Sequence, residues 1–227
     1  MASHETLQSL YPFLHGTRQD AGRLDLALLD AVRMKAQDSL DTKRAFFERN
    51  GERVVAMAHA IADIYQRGGR LFTMGNGGSS CDAAHIAVEF LHPITAGRPA
   101  LTAVSLVADT AMLTAVGNDV GIDHIFVRQV IAQARRGDGL IGVSTSGNSP
   151  NLLNAFAKAR QMGVATLGLS GHDGGAMAKS ADLDHCLVVQ SDSVHRIQET
   201  HVVIYHVLWD LVHTLLADER GGLAQTA

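Results

Sequence analysis

The segment His85-Ile86-Ala87-Val88-Glu89 places an imidazole and a carboxylate four residues apart. At about 100° per residue they share nearly the same side of a helix. Such a pair can hold a metal ion or move a proton, although an isolated one often serves as an ordinary surface contact. A second polar group stands far along the chain, at Gln198, Glu199, His201, His206 and His213. On an ideal helix Gln198 and His206 lie within about 80° of each other, and His201 sits about 60° to the other side of Gln198. Helical spacing leaves His201 and His206 both open as partners. The chain holds 12 histidines, six of them from His172 to His213. Histidine titrates near neutrality and is the commonest metal ligand.

Two loops supply a different chemistry. Gly75-Asn76-Gly77-Gly78-Ser79-Ser80 follows an apolar run and precedes a helical pattern. Glycines let the backbone approach a ligand, and the free N–H groups of a helix start favour an anion. The loop is not a Walker-type phosphate loop, since no Gly-Lys-Ser/Thr follows, and Ser80 stands where a dinucleotide fingerprint needs its third glycine. The second loop is Ser144-Thr145-Ser146-Gly147-Asn148-Ser149-Pro150. Ser149 before Pro150 reads as a helix N-cap with proline in the first helical position. Four hydroxyls, a glycine and a helix start make a phosphate cradle that needs no cationic side chain. Together the loops point to a phosphorylated small molecule.

The elements that must position these residues are those of an α/β domain. Up to about Arg67 the apolar spacing is helical, through Leu24, Leu28, Ala31 and Val32 and then Val54, Val55, Ala58, Ile61 and Ile64. From Arg70 onward short apolar runs alternate with helical stretches. Strands are expected at Leu71–Met74, Leu101–Leu106, Leu140–Val143, Ala165–Leu169 and Cys186–Val189. Helices are expected at Ser80–Leu91, Asp123–Ala134, Pro150–Met162 and about Arg196 to Leu216, the last amphipathic through Val203, Val207, Leu208, Leu211 and Leu215. Strands separated by helices imply a mainly parallel five-stranded sheet covered on both faces. Ligands of such sheets bind where strand ends lead into helix starts, which is where both loops fall. The expected division is an N-terminal helical segment at 1–68, the α/β domain at 69–218 and a flexible tail at 219–227.

Composition narrows the classes. Of 227 residues, 46% are hydrophobic and 19% charged, and 19 Lys+Arg against 23 Asp+Glu give a net charge of −4. That is a globular composition. The acidic balance and the 5% aromatic content argue against nucleic-acid binding. Cys81 and Cys186 make no disulfide framework. The N-terminus lacks the charge-then-apolar pattern of a secretory signal, and no unbroken run of about 18 apolar residues suggests a membrane span. A cytoplasmic setting follows as the expectation.

The stretches GNGGSSCDAAHIAVE, TAVGNDVG, STSGNS and RIQETHVVIYH resemble the sugar-isomerase (SIS) domain of phosphoheptose isomerases, over Leu71 to about Leu216. The resemblance implies an enzyme that converts D-sedoheptulose 7-phosphate to D-glycero-D-manno-heptose 7-phosphate through a cis-enediol, the first step of heptose nucleotide biosynthesis. It implies a three-layer domain preceded by N-terminal helices, and a homotetramer with sites at subunit interfaces. Carried over position by position, it implies substrate contacts from Asn76, Gly77, Gly78 and Ser79, from Asn118 and Asp119, from Ser144, Thr145, Ser146 and Ser149, and from Glu89 and Gln198. It implies one zinc ion per subunit held by His85, Glu89, Gln198 and His206, with Glu89 and His206 as the catalytic acid/base pair. The resemblance thus selects His206 where helical spacing left two histidines open.

Two positions depart from the family pattern. Phe90-Leu91-His92-Pro93 stands where these isomerases have a Leu-Thr-Gly-Arg-like segment, so Pro93 replaces a basic residue, and His195 stands where Asp is common. Both bear on the sugar accepted. The other readings are a non-catalytic tetrameric SIS adaptor of the bacterial replication initiator, a sugar-phosphate-sensing domain, and an isomerase of another sugar phosphate. The adaptor subgroup lacks counterparts of Glu89 and His206, which this chain has. Asp82 and Cys81 sit beside His85 but are expected to face elsewhere on the helix.

Overall fold

The computed structural model describes residues 21–95 and 97–218. His4, His15 and the tail at 219–227 lie outside the described residues. The described residues fall into two compact units, one ending at Leu40 and the other beginning at Asp41. Helix α1, Ala21–Gln66, is a single 46-residue helix where several were expected. It holds no proline to break it, and a Cβ at Gly51, in its interior, would meet nothing within 4 Å. In the first unit the stripe of Leu24, Leu28 and Val32 is exposed. In the second unit Val54, Ala58, Ile61 and Ile64 are buried as their spacing predicts, whereas Val55 is exposed.

The second unit continues through β1 (Leu71–Gly75), α2 (Gly78–Leu91), β2 (Ala103–Ser105), α3 (Thr110–Asp119), a 3-10 turn (Ile122–His124) and α4 (Ile125–Gln133). After these come β3 (Gly139–Ser144), α5 (Pro150–Gln161), β4 (Ala165–Gly171), α6 (Gly175–Lys179), β5 (His185–Val189) and α7 (Val194–Asp218). The strand order is β2-β1-β3-β4-β5 and every pairing is parallel.

Alternate strand residues feed two cores. Leu71, Ile141, Val143, Leu167, Leu169, Leu187 and Val189 pack with the buried faces of α1, α2 and α7. Phe72, Met74 and Leu140 pack with α4 and α5 on the other face. Gly142 faces Phe156, where a Cβ would lie 2.5 Å from the ring. The result is the three-layer arrangement expected of strands joined by helical crossovers.

The differences from the sequence reading are local. The edge strand β2 is three residues long, because only Ala103–Ser105 pair with β1. Helix α3 was unforeseen, since apolar residues stand on both sides of Asp109-Thr110; Asp109 caps it by accepting from Met112 N at 2.9 Å. The five-residue α6 was also unforeseen. The stretch expected to begin as a helix at Asp123 begins as a 3-10 turn. Among the described residues one helix, within Val194–Ala217, is long and apolar enough to cross a membrane by length and composition. Interspersed His and Thr keep it from forming an unbroken apolar run. Its Ile197, Ile204, Leu208 and Val212 are buried in the core.

Candidate functional site

β1 runs to β2 on one side and β3 lies on the other, so the chain direction across the sheet switches between β1 and β3. A crevice opens at the carboxyl ends of such a strand pair. Both loops singled out in the sequence end these two strands. They are tied together by a reciprocal amide pair, Asn76 Nδ2 donating to Asn151 Oδ1 and Asn151 Nδ2 to Asn76 Oδ1, each at 2.9 Å. The Asn76 side chain is therefore engaged by α5.

In the first loop Gly77 has φ 53°, a left-handed conformation that disfavours side chains. At Gly78 a Cβ would sit 2.2 Å from Gln198 Nε2, so the start of α2 presses directly on the Gln198 amide. Ser79 is buried, and its N–H donates to the Asn76 carbonyl at 3.0 Å.

Helices α2 and α7 lie parallel and in step. Gly78 meets Gln198, His85 meets Tyr205 and Glu89 meets Trp209, with one constant offset along both helices. Each helix buries one stripe against the sheet: Ala83, Ile86, Ala87 and Phe90 on α2, and Ile197, His201, Ile204, Leu208 and Val212 on α7. The buried α7 stripe is displaced from the expected Val203, Val207, Leu211 and Leu215, which are only partly buried. That displacement separates the two histidines. His201 is fully buried, and its Nε2 donates to the Ser170 carbonyl at 3.0 Å. Burial pushes its pKa down to about 4, against a smaller upward pull from that hydrogen bond. His206 lies on the flank that faces α2.

His85, Glu89 and His206 converge there, with one ligand atom of each within 4.8 Å of the others. His85 Nε2 lies 3.0 Å from Glu89 Oε1, and His206 Nε2 lies 4.0 Å from the same oxygen. The two imidazole rings are edge-on with centroids 5.2 Å apart. His85 Nδ1 lies 2.7 Å from the Tyr205 hydroxyl, and Trp209 Nε1 donates to the Glu89 carbonyl at 2.8 Å, near the end of α2. The donor set suits zinc: two imidazoles and a carboxylate gather about one point, and His85 has a separate partner for its other nitrogen. Gln198 lies two turns before His206 on α7, against Gly78.

Asp82, expected to face elsewhere on the helix, lies near enough to His85 to feel its charge. It is buried, and burial raises its pKa to about 6, while the His85 charge pulls it down. Burial raises the Tyr205 hydroxyl, and the charges of Asp82 and Glu89 raise it further. Asp82 sits one turn before His85, so both fall on the side of α2 that α7 covers.

In the second loop Ser144 is buried at the end of β3, with Oγ 3.0 Å from Ser149 Oγ. Ser144 Oγ also accepts from Gly147 N at 3.1 Å. Ser149 holds the N-cap position with Pro150 in the first turn, but its hydroxyl makes no capping bond; it turns to Ser144 instead. Ser146 Oγ accepts from Asn148 N at 3.2 Å, and Thr145 is half-buried beside it. Asn118 and Asp119 end α3, are exposed, and hydrogen-bond each other at 2.8 Å. They are not drawn into the three-residue cluster. His92 caps the end of α2 just before Pro93, and His195 is exposed in the first turn of α7.

A cavity of about 250 Å³ at the opposite end of the sheet is lined by Asp63, Arg67, Asp138 and Asp184. Its charges are engaged within the fold: Asp63 with Arg67, Asp138 with Arg70, and Asp184 with Arg160 and Thr166. Sequence reasoning missed Asn151, Tyr205 and Trp209, because each acts across helices brought together only by the fold. The adjacency of Tyr205 to His206 was the one available signal.

The three-layer parallel sheet with this loop pair and cluster is an α/β domain, and the SIS domain family model matches residues 36–171. The chain is 42% identical over 181 residues to a phosphoheptose isomerase of Roseiflexus sp., covering 80% of this chain and 91% of that protein. The solved phosphoheptose isomerase of Neisseria gonorrhoeae superposes with a TM-score of 0.77 at 35% identity, covering 82% of this chain and 99% of that one. That of Francisella tularensis gives 0.78 at 33%, covering 82% and 98%. The chain belongs to the phosphoheptose isomerases of the SIS-domain family.

Proposed function

We propose that this chain is an aldose–ketose isomerase acting on D-sedoheptulose 7-phosphate to give D-glycero-D-manno-heptose 7-phosphate, the entry to heptose nucleotide synthesis. The observation that carries the reading is the convergence of His85, Glu89 and His206 between α2 and α7, in a fold whose adjacent strands β1 and β3 end in the glycine loop and the hydroxyl loop. The similarity to phosphoheptose isomerases over most of both chains supports the choice of sugar.

In the proposed reaction a proton leaves C1 of the ketose while the C2 oxygen gains one. The resulting cis-enediol is reprotonated at C2 as O1 loses its proton. Glu89 and His206 share these transfers, one serving carbon and the other oxygen. Ser144, Thr145, Ser146 and Ser149 hold the phosphate with the start of α5, and Asn76, Gly77, Gly78, Ser79, Asn118, Asp119 and Gln198 contact the sugar. His85, Glu89, Gln198 and His206 are the proposed zinc ligands, and zinc bound there would supply Lewis-acid stabilisation of the charge on oxygen. The chain is proposed to work in the cytoplasm as a homotetramer. The exposed Leu26, Leu28, Leu29, Val32 and Met34 support assembly, since an isolated chain leaves these apolar side chains in water.

The test is incubation of purified, zinc-loaded protein with sedoheptulose 7-phosphate and, separately, with other ketose phosphates, following products by NMR. Conversion of sedoheptulose 7-phosphate to the aldoheptose phosphate is the expected result. Conversion of none overturns the reading, and preference for another ketose phosphate overturns the choice of sugar.

A further inference from the structure

We propose that Tyr205 is a positioning residue for His85, holding its ring in one place whichever nitrogen carries the proton. The inference rests on the reading of His85 as a ligand in the cluster. His85 uses both nitrogens, Nδ1 toward the Tyr205 hydroxyl at 2.7 Å and Nε2 toward Glu89 at 3.0 Å. A neutral imidazole donates from one nitrogen and accepts at the other. Without a cation, Nε2–H donates to the Glu89 carboxylate and Nδ1 accepts from the tyrosine O–H. With a cation on Nε2, that nitrogen must offer its lone pair, so the proton sits on Nδ1 and donates to the tyrosine oxygen. A hydroxyl serves both states because it can donate or accept. A carbonyl or carboxylate in its place could only accept, and would favour a single tautomer.

The tyrosine is itself held. It is 3% exposed, so its hydroxyl has little freedom to swing into solvent. Its ring stands edge-on to His85, with centroids 5.3 Å apart, and edge-on to His206 at 4.8 Å. It occupies the place on α7 directly opposite His85 in the parallel pair of helices. Tyr205 therefore fixes the separation of the two imidazoles by packing and the orientation of one by hydrogen bonding. It lies behind His85, on the side away from Glu89.

The discriminating variant is Tyr205→Phe, which keeps the packed ring and removes only the oxygen. The first readout is the ¹⁵N NMR of histidine side chains in metal-free protein. Loss of the bond should move the His85 Nδ1 resonance while leaving that of His201 in place. The second is zinc affinity by competition with a chromophoric chelator, where removal of a hydrogen-bonding partner behind a ligand should weaken binding by about 10- to 100-fold. The third is a fall in kcat with KM held within about twofold, since the Tyr205 hydroxyl bonds His85. Unchanged His85 resonances together with wild-type zinc affinity would overturn the proposal. Should wild-type protein take up no zinc, the metal reading of the cluster fails, while the metal-free spectra still decide whether Tyr205 holds His85.

Discussion

The two halves of the site are built in opposite ways. The hydroxyl loop lies within seven consecutive residues, Ser144 to Pro150, and its geometry comes from a strand ending where a helix begins. The His85–Glu89–His206 cluster joins helices far apart in sequence and exists only because α2 and α7 pack parallel and in step. A local device tolerates motion elsewhere in the fold. A cluster spanning two helices depends on every contact that keeps them aligned, including Gly78 against Gln198, Tyr205 against His85 and Trp209 against the Glu89 carbonyl. Damage to the cluster should therefore affect chemistry, and damage to the loop should affect binding.

The largest expected effect comes from the cluster. Glu89→Gln keeps shape and hydrogen bonding but removes the charge and the basic oxygen. Turnover should fall by about 10²- to 10⁴-fold, with the melting temperature within a few degrees of wild type. His206→Asn should do the same. Steady-state kinetics and thermal melts on both variants check this, and near-native activity in either would remove that residue from the acid/base pair.

That division also explains what could be read from sequence. The hydroxyl loop, the glycine loop and the five-strand α/β pattern were legible because each depends on neighbours in the chain. The pairing of His85 with Glu89 was legible as a four-residue spacing. The choice between His201 and His206 was not, because it depends on which stripe of α7 meets the sheet, and the alternation of apolar and polar residues there admits more than one phase. His201 replaces an aliphatic residue in the buried stripe, so the face of α7 that looks most apolar is not the face the sheet covers. Helix α3 was missed for a related reason: the turn at 106–108 between β2 and α3 is built from Leu, Val and Ala, so apolar residues run up to the Asp109 cap with no glycine or proline to mark where the strand ends. Tyr205 and Asn151 gain meaning only from partners across the fold.

His201 offers an intermediate effect that sharpens the contrast with His206 on the same helix. Its folded pKa of about 4 lies below the ordinary value of 6.5, so the fold favours the neutral ring. The stability this confers is fully present above pH 6.5 and is lost as pH falls toward 4, by at most about 3 kcal/mol. Urea midpoints at a series of pH values should show this slope in wild type and a shallower one in His201→Gln. Equal slopes would place the acid sensitivity elsewhere.

The smallest effect belongs to the loop. Ser144→Ala removes a hydroxyl that bonds Ser149 and Gly147 and, in the proposed complex, the phosphate. KM should rise by about tenfold while turnover stays within a few-fold of wild type, as one hydrogen bond to a charged group implies. A drop confined to kcat would contradict the division of labour between the two halves.

The central claim is that the helix-built cluster moves the proton between carbons. The most direct measurement is turnover of sedoheptulose 7-phosphate in D₂O by zinc-loaded wild-type and Glu89→Gln protein, with product read by ¹H NMR. The account predicts aldoheptose phosphate from the wild type, with deuterium at C2 to the extent that the base exchanges its proton with solvent, and almost no product from the variant over the same time. Equal product from both proteins would contradict it.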